Sequence, residues 1–307
     1  MSATGPAAPK RLTISDIARM HADGERIPML TAYDYPTARI LDEAGVPILL
    51  VGDSLGTNLL GYDSEMRVTM ADMLHHSAAV VRGAKRALVI GDMPFLSYAT
   101  PEEAIQNAGR FVREAGVQAV KIEGGRRSAR VTEALTKAGF AVQGHIGWTP
   151  QSQSGMGGKV RVQGKTREAA RSLLSDAVAV QESGAFSVVL ELVPEQLAAE
   201  ITARLQIPTI GIGAGAGCSG QVQVVTDLLG YGDFTPRHAR HYAELRETIA
   251  AAATAYAEDV RNGTFPGPEQ ATRMDETILD EALGRTADDR ATSAVEFEAG
   301  IPLDRDL

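Results

Sequence analysis

The chain has 307 residues, 44% hydrophobic and 22% charged, which supplies a core for one large or two medium domains and excludes disorder as its main state. Thirty basic against thirty-nine acidic side chains give a net charge of −9, and ten acids against four arginines over 270–307 place most of it late in the chain. A nearly neutral body with an acidic tail and no basic run argues against nucleic acid and anionic lipid as partners, and leaves small solutes.

Residues 1–12 are mostly small and polar without the apolar core of a signal peptide, and read as a flexible segment. A helix is predicted over 14–22. From there, apolar runs of strand length recur at 28–32, 47–52, 87–91, 118–122, 141–144, 187–190 and 208–212. Each run is continuous, the pattern of a parallel strand covered on both faces. Helical periodicity fills the intervals at 35–44, 70–82, 101–115, 128–138, 167–183 and 195–205. Thr69 and Thr100 stand where N-caps belong, and Pro101 suits a first helical turn. Gly45, Gly83, Gly116, Gly139 and Gly184 each follow a helix, where a left-handed residue is wanted.

A weaker eighth strand at 223–226 and an alanine-rich helix at 238–262 complete the pattern. Such alternation fits a closed eightfold barrel or a doubly wound open sheet. Count and length favour the barrel, an α/β chain folded as a (β/α)8 TIM barrel over 13–268. The segment 269–307 has few large apolar residues and reads as an acidic, mobile tail. The single cysteine, Cys218, forms no intrachain disulfide and points to a reducing, cytoplasmic setting. No stretch approaches the roughly 20 apolar residues of a membrane span.

The strand ends carry the chemistry. Val51-Gly52-Asp53, Ile90-Gly91-Asp92, Lys121-Ile122-Glu123 and Val189-Leu190-Glu191 each put an acid after an apolar run, and His145 ends another. In a barrel all these ends meet at one mouth. Any one acid alone is more simply a solvated strand end or a helix cap, as Asp53 before Ser54 shows. Jointly they would repel and raise one another's pKa unless a cation sits among them, and oxygen donors without a cysteine or histidine cluster point to Mg²⁺ or Mn²⁺. Lys121 and Glu123, two apart on one strand, share a face, so the ammonium also enters the mouth.

Other motifs carry less. Gly211-Ile-Gly213-Ala-Gly215-Ala216 fits a permissive dinucleotide pattern but falls late and reads as a tight strand-to-loop passage. Gly158 to Thr166 misses a phosphate loop by one residue and carries bulky side chains where bare amides are needed. The polar, glycine-bearing stretch 151–165 after His145 suggests a lid. His75, His76, His238 and His241 read as packed or solvated helix residues, Trp148 as packing, and Cys218 lacks a histidine partner for a nucleophilic role.

In this order, Thr31-Ala-Tyr-Asp-Tyr35, Val51-Gly-Asp-Ser-Leu-Gly56, Asp92-Met-Pro-Phe95, Lys121-Ile-Glu-Gly-Gly125, Gly144-His-Ile-Gly147 with Thr149-Pro-Gln-Ser152, and Gly211-Ile-Gly-Ala-Gly215 resemble the ketopantoate hydroxymethyltransferase family. The resemblance implies a barrel of the phosphoenolpyruvate-mutase and isocitrate-lyase type, with Asp53, Asp92 and Glu123 holding Mg²⁺. It further implies Asp53, Ser54, Asp92, Lys121 and His145 around the 2-oxo acid substrate, and Glu191 with Lys121 as the catalytic pair. The co-substrate implied is 5,10-methylenetetrahydrofolate, the product 2-dehydropantoate on the route to pantothenate, and the assembly a homo-oligomer, a decamer in the family's manner. Departures fall in 153–163, at Thr226 and at His238, none of them on a proposed metal acid. The alternative within the same fold is a Mg²⁺-dependent C–C lyase acting on a 2-oxo or 2-hydroxy acid, which would want a reactive cysteine at the mouth. A non-catalytic barrel with a decayed site would have lost its metal acids, and all three are present.

Overall fold

The structure, a computed structural model, describes residues 10–285. Eight parallel strands close into a barrel in sequence order: β1 (Ile27–Thr31), β2 (Ile48–Val51), β3 (Leu88–Asp92), β4 (Ala119–Glu123), β5 (Val142–Gly147), β6 (Ser187–Glu191), β7 (Thr209–Ile212) and β8 (Gly220–Gln223). Closure comes from β1 against β8, with Ile27 opposite Gly220. The eighth strand lies three residues earlier than the predicted 223–226. Its sequence, Gly-Gln-Val-Gln, has no apolar run to mark it, and it is positioned by its neighbours instead.

The helices are α1 (Ile14–Ala22), α2 (Tyr35–Glu43), α3 (Leu55–Asn58), α4 (Met70–Gly83), α5 (Pro101–Arg110), α6 (Ala129–Lys137), α7 (Arg167–Glu182), α8 (Glu195–Arg204), α9 (Val225–Leu228), α10 (Leu245–Asn262) and α11 (Glu276–Leu283). Thr69 and Thr100 cap α4 and α5 in reciprocal boxes with Asp72 and Glu103. Gly45, Gly116, Gly139 and Gly184 have the expected positive φ. Gly83 does not; it ends α4, and a Cβ there would lie 2.5 Å from the Tyr35 carbonyl oxygen, so closeness to α2 is what requires glycine. The run predicted as one helix to 115 changes at Phe111–Ala115 into a wider π-turn, which buries Phe111 beneath Gly91 of β3. The helix predicted from 238 begins at Leu245, because His241 is turned back onto the Thr235 hydroxyl at 2.5 Å.

Strand parity explains the continuous apolar runs. Ile48 and Leu50 of β2 join Leu88, Ile90, Val189 and Ile210 inside the barrel, while Leu49, Val51, Val89 and Val120 face the helices. The inner face of β3 therefore continues from Ile90 to Asp92, that of β4 from Ala119 to Lys121 and Glu123, and that of β6 from Val189 to Glu191. Alternation alone delivers these charged side chains to the mouth.

The chain divides into two compact units, Met1–Arg246 and Glu247–Leu307. Within the first, Arg11 donates to Gln118 and the Leu12 amide to the Arg86 carbonyl, so the end of the 1–12 segment is tied to the barrel. Within the second, Tyr256 and Phe265 stack edge to face at 5.5 Å, and α11 ends on left-handed Gly284. Part of the stretch read as a mobile tail is thus helical, and 1–9 and 286–307 lie outside the described residues.

Candidate active site

All the sequence-predicted side chains gather at the C-terminal mouth. Lys121 Nζ lies 2.6 Å from Asp92 Oδ2, with both side chains buried. Asp53 sits beyond the end of β2, past the turn at Gly52, and its amide approaches the same Asp92 oxygen at 3.5 Å. His145 bridges two acids: Nδ1 is 3.3 Å from Glu123 Oε1 and Nε2 is 3.2 Å from Glu191 Oε2. Neither contact is aligned as a hydrogen bond. Ser54 shares a 2.9 Å hydrogen bond with the Tyr33 hydroxyl.

Electrostatics follow from burial. Burial, with Asp92 and Glu123 alongside, pushes the Asp53 carboxyl well above the ordinary carboxylate range, against the pull of Lys121. Burial opposes the Lys121 ammonium as well, but Asp92, Glu123 and Asp53 outweigh it and hold its pKa above the usual lysine value. Burial and Lys121 disfavour the His145 imidazolium, yet Glu123 and Glu191 prevail and its pKa is pushed up to about 9. Burial lifts Tyr33 to about 12.

Two further residues of the site, Gln151 and Tyr98, were not singled out in the sequence. Gln151 is buried, its Nε2 donating to Asp53 Oδ2 at 2.8 Å and to the Met93 carbonyl at 2.9 Å, while its amide donates to Glu123 Oε2 at 3.1 Å. Tyr98 donates to Gln151 Oε1 at 2.5 Å, and its oxygen accepts the Glu123 amide at 3.3 Å. Burial and Glu123 raise the Tyr98 phenol, so it stays a donor. The motif Thr149-Pro-Gln-Ser152 contained the one clue to Gln151, as a polar residue following the His145 strand.

Lys121 and Gln151 take one oxygen from each of Asp92, Asp53 and Glu123. Asp92 Oδ1 and Glu123 Oε1 are buried with no hydrogen-bond partner. As they stand, no three His, Cys, Asp or Glu side chains among the described residues are grouped closely enough to hold a metal ion.

The surrounding loops shape the mouth. Leu96 and Leu192, one in the loop after Asp92 and one directly after Glu191, adopt φ of 65° and 50°, a costly conformation for leucine. Gly147 has φ of 96°, and a Cβ there would lie 2.2 Å from the Glu191 carbonyl, so only glycine lets β5 and β6 approach at this level. The 151–165 stretch is docked at several points: Arg127 donates to Ser152, Gln153 donates to the Ser64 hydroxyl at 2.7 Å, and the Gln163 amide bonds the Leu192 carbonyl at 2.8 Å. Arg127 lines two cavities, one of about 230 Å³ reaching Glu123 and Gln151 and one of about 480 Å³ beside Gly124, Thr149 and Met156.

The remaining candidates are structural. His76 Nδ1 contacts the Tyr33 carbonyl at 2.6 Å, Trp148 is buried, and Cys218 is buried with its thiol pKa raised by burial. No helix among the described residues is long and apolar enough to cross a membrane.

Comparison with known proteins identifies the family and the fold. The profile of the ketopantoate hydroxymethyltransferase family matches residues 11–268. The 3-methyl-2-oxobutanoate hydroxymethyltransferase of Chloroflexus aurantiacus is 60% identical over 283 residues, covering 92% of this chain and 99% of that one. That of Dehalococcoides mccartyi is 53% identical, covering 88% and 96%. Among solved structures, 2,3-dimethylmalate lyase, a PEP mutase/isocitrate lyase superfamily member, superposes with a TM-score of 0.54 at 17% identity, covering 94% of this chain and 100% of that one, which bears on the fold alone.

Proposed function

The chain belongs to the ketopantoate hydroxymethyltransferase family and transfers a hydroxymethyl unit to 3-methyl-2-oxobutanoate in pantothenate biosynthesis, and we propose the roles of its residues from the mouth geometry. The observation that carries this reading is the buried set Asp53, Asp92, Glu123 and Lys121, in which three carboxylates face one ammonium.

Even with the His145 ring against Glu123, that set carries an excess of negative charge, and two of its carboxylate oxygens have no hydrogen-bond partner. Hard oxygen donors with this excess fit a divalent Mg²⁺ ion held by Asp53, Asp92 and Glu123. When bound, the cation supplies positive charge to the substrate's carboxylate and keto oxygens, making the C3 proton acidic enough to remove.

The chain's own groups do the rest. Lys121 stays protonated and directs its ammonium at the same oxygens, where negative charge grows as the enolate forms. Ser54, held by Tyr33, contacts the substrate carboxylate. Glu191 sits at the rim, partly exposed, and takes the C3 proton. His145 fixes Glu191 from one side and Glu123 from the other. The enolate carbon then bonds to the methylene carbon of 5,10-methylenetetrahydrofolate as one of that carbon's two C–N bonds breaks; the second C–N bond breaks as water supplies the hydroxyl, and the two freed nitrogens of tetrahydrofolate take up one proton from C3 and one from water. The 480 Å³ cavity beside Arg127 offers space for this larger co-substrate.

This reading places the enzyme in the cytoplasm as a homo-oligomer, a decamer in the family's manner. A C–C lyase is disfavoured by Cys218, the only thiol in the sequence, which is buried beneath β7 and α8 instead of exposed at the mouth. The test is formation of 2-dehydropantoate from 3-methyl-2-oxobutanoate and 5,10-methylenetetrahydrofolate. Product that requires both folate and Mg²⁺ supports the reading, and undiminished turnover after chelation contradicts it.

A further inference from the structure

We infer that Gln151 is the positioning residue of the metal site, tying the segment after β5 to Asp53 and Glu123 so that one oxygen of each is held and the other is left for the cation. The inference rests on the reading of Asp53, Asp92 and Glu123 as metal ligands.

Three features of the geometry point to it. First, Gln151 is a neutral side chain buried among charges: Nε2 donates to Asp53 and to the Met93 carbonyl, Oε1 accepts from the Tyr98 hydroxyl, and the backbone amide donates to Glu123. Such a saturated arrangement fixes the amide's orientation, with Tyr98 deciding which end is oxygen. Second, the donors divide the carboxylates evenly. Asp53 Oδ2 and Glu123 Oε2 go to Gln151 and Asp92 Oδ2 goes to Lys121, while Asp92 Oδ1 and Glu123 Oε1 have no hydrogen-bond partner, the latter facing His145 Nδ1 at 3.3 Å.

Third, neutrality matters. A glutamate at 151 would add to the excess of negative charge, and a lysine would supply positive charge in place of the cation. A neutral amide donates to the acids while leaving the negative charge that suits a divalent ion. The neighbouring residues couple this latch to the loop: Ser152 is held by Arg127 and Gln153 by Ser64.

The test measures Mn²⁺ binding by electron paramagnetic resonance, without substrate or turnover. Gln151→Met keeps the length of the side chain and removes its donors. It should weaken Mn²⁺ binding by about 10–100-fold, the usual effect of losing a partner that orients a metal ligand. Tyr98→Phe, which frees the amide to rotate, should weaken it in the same direction but less, and serves as the second variant if Gln151→Met fails to fold. Mn²⁺ affinity equal to the parent's in the folded variants would overturn the inference. Asp92→Asn in parallel separates the two ideas: if it too leaves Mn²⁺ binding unchanged, the metal reading fails; if it abolishes binding while Gln151→Met does not, only the role of Gln151 fails.

Discussion

The ammonium of Lys121 and the carboxylate of Asp92 meet at 2.6 Å inside the barrel mouth, where neither is reached by solvent to any extent. Removing one partner strands the other charge in a poorly solvated place. Lys121→Met should destabilise the metal-free protein by about 3–5 kcal/mol, and adding Asp92→Asn should recover much of that loss. Urea denaturation of the two variants checks it; a single variant as stable as the parent would show that Asp92 is compensated elsewhere.

His145 carries the clearest pH signature. Its folded pKa of about 9 lies above the ordinary histidine value, so the imidazolium contributes stability that is complete below about 6.5 and is lost as pH rises through 9. Nuclear magnetic resonance of ring-labelled histidine in metal-free protein should find this ring charged at neutral pH. A neutral ring at pH 7 would contradict the pairing with Glu123 and Glu191.

Far from the mouth, the buried Asp42 carboxylate accepts the backbone amides of Lys85, Arg86 and Ala87 at 2.6–3.2 Å and so anchors the approach to β3. Asp42→Ala leaves those donors unmet and should cost about 2–4 kcal/mol, with metal affinity retained. Thermal unfolding and Mn²⁺ titration of one preparation measure both.

Much of this was legible in the sequence because strand parity and strand-end acids are local facts. A continuous apolar run ending in Asp92 or Glu123 shows both that the strand is covered on two faces and that its acid reaches the mouth. Three kinds of feature escaped. The eighth strand, half of it glutamine, is defined by pairing with Ile27 and Ile210 and not by its own pattern. Gly83 looked like a helix terminator, and its real constraint is Tyr35, distant in sequence. Gln151 has neither charge nor period to mark it, and its role exists only once folding brings Asp53, Met93 and Tyr98 around one amide.

Enolisation at this mouth by Glu191, with Lys121 and the metal acids, is the central step of the proposed reaction. The most direct measurement follows the C3 proton of 3-methyl-2-oxobutanoate by proton nuclear magnetic resonance in D₂O with Mg²⁺, with and without tetrahydrofolate, in parent and Glu191→Gln. Catalysis by Glu191 requires Mg²⁺-dependent loss of that signal in the parent and a rate lower by about 10²-fold or more in Glu191→Gln. Undiminished exchange in Glu191→Gln, or no exchange in the parent under either condition, would contradict it.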